Sequence, residues 1–223
     1  VMSDRTDTEV RHALVFAIAH EIGNHLAGIR LEAHLLDEDL GAPGLARASL
    51  AIDSLAGEAG PLLALLRPLL APGSRRTAGP SYAALLDGVV RQLESEGAGG
   101  RAIELSVASD AGEAGPAFEG LHPLLLALVG TPQDLPPGKA PISFALALRG
   151  GEIEIACELP GDAFVGGDPW ALAPGTPAGS SHGFRGRPLA VAIARVLVAD
   201  AGGRVELESR AGRSRVSLRL QRD

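Results

Sequence analysis

His20, Glu21 and Asn24 carry the side chains best placed to do chemistry in this sequence. They fall in a segment, AHEIGNHLAGIRLEAHLL, whose apolar residues recur at helical spacing. With Ile18 taken as zero and about 100° per residue, His20 lies near about 200°, almost opposite the apolar stripe. An imidazole there faces outward, where it can meet a partner protein. Its surroundings suit phosphoryl chemistry. Glu21 can orient the ring or accept its proton, leaving one nitrogen free as a nucleophile. Asn24, four residues on from His20, shares its face and can hydrogen-bond a phosphoryl oxygen.

Two simpler readings stand beside this one. A lone histidine on a polar helix face is most often just solvated. Zinc is the other alternative, because His20, Glu21 and His25 approach the His-Glu-x-x-His pattern. The second histidine, however, falls one residue too far. Rings at i and i+5 lie roughly 140° apart around a helix and do not share a metal as an i, i+4 pair does. His25 lies near the apolar stripe and reads as a partly buried packing residue. His12, His34, His122 and His182 show no ligand spacing. No metal site is expected.

The elements that must position these residues follow from periodicity. A helix is expected from Asp7 to about Asp39, with Leu14, Ile18, Ile22, Ile29 and Leu36 on one stripe. Gly41-Ala42-Pro43-Gly44 breaks it, and a second helix is expected from about Leu45 to Leu70, with a kink at Gly60-Pro61. Residues 71–80 read as a linker. Such a helical hairpin cannot bury both apolar faces alone, whereas two copies make a four-helix bundle. A homodimer is therefore expected.

Beyond the linker the pattern changes. Helices are expected at Tyr82–Glu96, Leu121–Val129 and Arg187–Ala201. Strands are expected at Ala102–Ala108, at Ile142–Leu148 with Glu152–Glu158 as a hairpin across Arg-Gly-Gly, and at Val205–Ser209 and Val216–Leu220. Residues 159–187 are rich in Gly, Pro and Ser and read as a long loop. The fold class is α+β: an N-terminal helical hairpin over residues 1–73, then an α/β sandwich over residues 80–223 with helices on one sheet face.

The bulk composition narrows the function. Across 223 residues the chain is 46% apolar but only 3% aromatic, so aliphatic side chains must fill its core. A net charge of −7 argues against nucleic acid and anionic lipid as partners. Cys157 is the single cysteine, which rules out an internal disulfide and a cysteine-based metal cluster. No apolar run reaches the roughly 18–20 residues of a membrane span, and the acidic start is unlike a signal peptide. A cytoplasmic protein is the expectation.

The segment His20-Glu21-Ile22-Gly23-Asn24-His25-Leu26 resembles the H-box of sensor histidine kinases, with His25 where that family usually has proline. The stretch RPLAVAIARVLVADAGGRVELESRAGRSRVSLRL resembles the end of their catalytic domain, a helix leading into a Gly-Gly turn and two strands. The order of the two also matches. The resemblance implies that His20 is the phospho-acceptor, Glu21 handles its proton and Asn24 positions the phosphoryl group.

The resemblance fails at the nucleotide site. Ala127 and Thr131 stand where magnesium-holding asparagines are expected, and Cys157 or Glu158 near the adenine-reading aspartate, with only Gly161 matching a glycine of that loop. Gly186-Arg187-Pro188-Leu189-Ala190-Val191 replaces the phosphate-cradling glycine loop. Pro188 lacks an N–H, and the Ala190 methyl obstructs the approach of phosphate to backbone. The combination resembles the ChpT-type histidine phosphotransferases, dimers that pass a phosphoryl group between receiver-domain aspartates without ATP. It implies response regulator receiver domains as partners, with magnesium supplied by the receiver and no cofactor bound by this chain. Receivers are expected to dock on the helix around His20 and on Ala27, Arg30 and Leu31. Arg185 and Arg187 are candidates for a remnant anion site. The competing readings are a divergent ATP-dependent kinase core and a non-catalytic receiver-binding module.

Overall fold

The computed structural model describes residues 7–37, 42–71, 79–97, 100–111, 116–130, 135–161, 163–164 and 186–222. The expectations for Thr131, His182, Arg185 and most of the 159–187 loop lie outside them.

Two long helices come first, α1 (Asp7–Asp37) and α2 (Ala42–Leu70). α2 starts earlier than expected, because Ala42, Pro43 and Gly44 already belong to it. Proline is tolerated in a first turn, where its missing N–H has no helical partner to lose. α2 also continues through Pro61 and Pro68. On α1, Leu14 and Ile18 are buried as the stripe requires. On α2 the inward face is Ala48, Ala59, Leu62, Leu65 and Leu69, whereas Leu45, Leu50 and Leu70 are exposed. Leucines lie all around this helix, so periodicity alone does not single out one face.

That distribution corrects another expectation. From Gly44 to Leu70, α2 is long and apolar enough to cross a membrane by length and composition. Asp53 and Glu58 stand at its middle. An ionised side chain at a bilayer centre costs about 2.5–3.5 kcal/mol on insertion scales. The apolar flank is better suited to covering by other helices.

The sandwich follows: α3 (Tyr82–Ser95), β1 (Ile103–Val107), α4 (Leu121–Val129), β2 (Ile142–Arg149), β3 (Glu152–Pro160), α5 (Arg187–Asp200), β4 (Arg204–Arg210) and β5 (Arg213–Gln221). Ser81 caps α3, its hydroxyl accepting the Ala84 N–H at 3.2 Å. The sheet order is β1-β2-β3-β5-β4. β1 runs parallel to β2, and the other pairs are antiparallel. Gly150 and Gly151, with φ of 61° and 86°, form the tight β2–β3 turn, a conformation that calls for glycine.

Alternation along the strands separates two faces. Ile153, Ile155 and Cys157 pair with Leu220, Leu218 and Val216 on the inner face, beneath the three sandwich helices. The outer face is a lattice of ion pairs. The buried Glu154 carboxylate sits between Arg149 (2.9 Å) and Arg215 (2.7 Å). Glu158 pairs with Arg213, and Glu152 with Arg204. The hydrogen bond from Arg204 holds the Glu152 carboxyl below its usual range.

The hairpin and sandwich share one core. Leu14, Ile18, Leu62, Leu65 and Leu69 belong to the same buried cluster as the inner sheet face. At this junction Arg11 donates to Asp200 Oδ1 at 2.5 Å and to the Leu69 carbonyl at 3.4 Å.

His122 of α4 lies against Gly88 of α3. Partial burial disfavours its charged form and pushes its pKa below the ordinary 6.5. The folded state therefore resists protonation that the unfolded chain accepts. The His122 contribution to stability is complete above pH 6.5 and is lost as pH falls through the folded pKa. Urea melts from pH 7.5 to 5 are expected to show this decline, and His122→Gln is expected to flatten it.

Candidate functional site

α1 displays His20 to solvent. One turn before it, Phe16 is 62% exposed, and Ala27 and Leu31 continue the same open stripe, Leu31 at 59%. Arg30 is also exposed. Phe16 was not singled out in the sequence. Its signal was a large aromatic four residues before the histidine, in a chain with very few aromatics.

Consecutive residues diverge by about 100° on a helix, so Glu21 turns away from His20. It is buried, and the Asn24 amide donates to its carboxylate, Nδ2 to Oε2, at 3.4 Å. Thus Glu21 and Asn24 meet each other beneath the exposed imidazole. His25 is buried one turn beyond Glu21, and its Nδ1 lies 3.8 Å from Glu58 Oε2 on α2. His20 and His25 therefore occupy different environments, one in solvent and one between helices.

Glu21 and His25 also line a cavity of about 470 Å³ between the hairpin and the sandwich. Its other walls include Asp53 and Glu58 of α2, Glu96 after α3, Ala127 of α4 and Arg187 at the start of α5. Ala127 therefore lies in the wall itself. Arg187 Nε donates to the Val129 carbonyl at 2.9 Å, which turns part of this cation onto the protein's own backbone. Four acidic residues, Glu21, Asp53, Glu58 and Glu96, line the same cavity.

Neither candidate for the adenine-reading position lines this cavity. Cys157 points into the core, where burial pushes its thiol up to about 12. Glu158, on the opposite sheet face, is engaged by Arg213. Gly161 follows β3 with φ of 77°, and its carbonyl accepts from Ser214 at 2.7 Å. Ala190 is fully buried. Among the described residues, no group of three or more His, Cys, Asp or Glu side chains is placed to hold a metal ion.

A two-helix hairpin with an outward histidine, followed by a sheet backed by helices on one face, is a histidine-kinase-like fold. No family model matches the sequence, and no curated protein does. The fold is nevertheless similar to solved structures. The histidine kinase AdeS of Acinetobacter baumannii aligns with a TM-score of 0.55 at 13% identity, over 92% of this chain and 98% of that one. A bacterial phosphotransferase aligns with a TM-score of 0.52 at 15% identity, over 96% of this chain and 97% of that one. Full-length ShkA, solved in complex with AMPPNP, gives 0.52 at 18% identity, over 96% of this chain and 44% of that one.

Proposed function

We propose that the chain is a histidine phosphotransferase of two-component signalling, relaying a phosphoryl group through His20 between receiver-domain aspartates without ATP. The observation that carries this reading is a pairing. The acceptor imidazole is open to a partner, while the cavity beside the degenerate nucleotide motifs has four acidic residues and Ala127 in its lining.

The chemistry needs little from this chain. A neutral imidazole nitrogen of His20 attacks the phosphorus of an aspartyl phosphate. The P–N bond forms as the P–O bond to the aspartate breaks, and the aspartate leaves as carboxylate. The ring proton then passes to water or to a nearby base. Transfer to the second receiver reverses these steps. Asn24 spends one amide N–H on Glu21, and an amide carries a second for a phosphoryl oxygen. Glu21, turned away from the ring, acts through Asn24 by holding its amide. Magnesium belongs to the receiver, where it offsets phosphoryl charge. Ala27, Arg30 and Leu31, with Phe16, form the docking surface.

In the same reading residues 1–73 are the dimerisation and phosphotransfer unit, residues 80–223 a degenerate kinase catalytic domain, and the protein works in the cytoplasm. The exposed leucines favour a homodimeric four-helix bundle: Leu26 at 57%, Leu45 at 55%, Leu63 at 54% and Leu70 at 62%. Covering one leucine contributes about 1.5–3 kcal/mol. Leu63→Glu is expected to convert dimer to monomer in light scattering. A wild-type monomer at micromolar concentration would remove the bundle from this reading.

The test of function is direct. Purified receivers phosphorylated on aspartate are mixed with the chain, and acid-labile label is followed onto His20. Labelling from receivers but not from magnesium-ATP is the expected result. Self-phosphorylation from ATP would favour the divergent kinase, whose fold this chain shares.

A further inference from the structure

We propose that Glu58 of α2 is a positioning residue for the His20 site, acting through His25. The inference rests on the phosphotransfer reading. Glu58 is held at both oxygens: Ser54 Oγ donates to Oε1 at 3.3 Å, and His25 Nδ1 faces Oε2 at 3.8 Å. At that separation the two groups face each other without a direct hydrogen bond, an attraction that favours a ring turned toward the carboxylate. His25 thereby acts as a strut from α1 to α2.

Glycines surround the strut on both helices. Gly23 and Gly28 flank it on α1, and Gly57 and Gly60 on α2. Positions 23, 57 and 60 each have open space where a Cβ would be. Each glycine inside a helix weakens it relative to alanine. These positions supply neither propensity nor side-chain packing to fix the rotation of α1 about its axis. That rotation decides where His20 points, because His20 sits five residues before His25 on the same helix. The strut also lies one turn from Glu21, whose carboxylate receives the Asn24 amide. Glu58 thus holds the floor on which the three proposed site residues stand, from outside their own helix.

The experiment is single-turnover transfer from a phosphorylated receiver that labels the wild-type chain, with receiver affinity measured separately by titration. Glu58→Leu and His25→Leu are each expected to slow transfer about tenfold at unchanged receiver affinity and melting temperature. The double variant is expected to be no slower than either single one, because both remove the same strut. Glu58→Gln keeps an acceptor oxygen and is expected to stay within about threefold of wild type. Unchanged transfer in the leucine variants overturns the proposal and leaves the phosphotransfer reading intact. Additive losses, or losses that track melting temperature or affinity, overturn it as well. A wild-type chain labelled by no receiver removes the phosphotransfer reading and the proposal together.

Discussion

His20→Gln is expected to fold and melt like wild type yet accept no label from any phosphorylated receiver. The imidazole is exposed and supports no packing, so its loss leaves the core intact. Glutamine is of similar size and polarity but has no nucleophilic nitrogen. Removing the nucleophile of a group-transfer site costs on the order of 10³-fold or more in rate. Receiver affinity, measured by titration, is expected to change little, since Phe16, Ala27 and Leu31 remain. Persistent phosphoryl flow between two receivers in this variant would leave only the non-catalytic docking module.

The second large effect lies far from the site. Gly203→Ala is expected to destabilise the fold by about 3 kcal/mol, at the upper end of overpacking costs. Gly203 ends the turn from α5 into β4, and its N–H reaches the Val198 carbonyl at 2.8 Å. A methyl group there would press into the Arg219 carbonyl oxygen of β5, and would stand 2.9 Å from both Leu220 Cδ2 and Val198 Cγ1. The backbone oxygen is fixed by sheet pairing and cannot swing aside. Its neighbour Gly202 has the opposite character. It takes a φ of 74° and has open space where a methyl group would stand, so strain there comes from the backbone alone. Chemical denaturation of both alanine variants is expected to rank Gly203→Ala as the more damaging.

The two glycines show how far the sequence could be read. Gly202-Gly203 marks a helix stop by composition, and α5 does end there. Which glycine is needed for its φ and which for its lack of side chain depends on Arg219 of β5, which arrives only after the β4 strand. The strand and helix spans were legible because period-two and period-3.6 patterns are local. The inward face of α2 was not, because a leucine-rich helix offers apolar side chains to both its own chain and a second surface. At the site, the outward direction of His20 followed from helix angle alone. The Glu21–Asn24 contact was missed because both residues were read relative to His20 and not to each other. Glu58 was missed because nothing in its own segment distinguishes it. Only the crossing of α1 and α2 brings it to His25.

The shared core has one more consequence. Pulling the hairpin from the sandwich would uncover part of Leu14, Ile18, Leu62, Leu65 and Leu69 and break the Arg11 tie to Asp200. Each leucine so wetted costs up to about 1.5–3 kcal/mol. A domain that carries nucleotide to a histidine has to travel, and these contacts oppose that motion. In the relay proposed above, the exposed imidazole needs no such journey, and exchange would be governed by encounter with its partners.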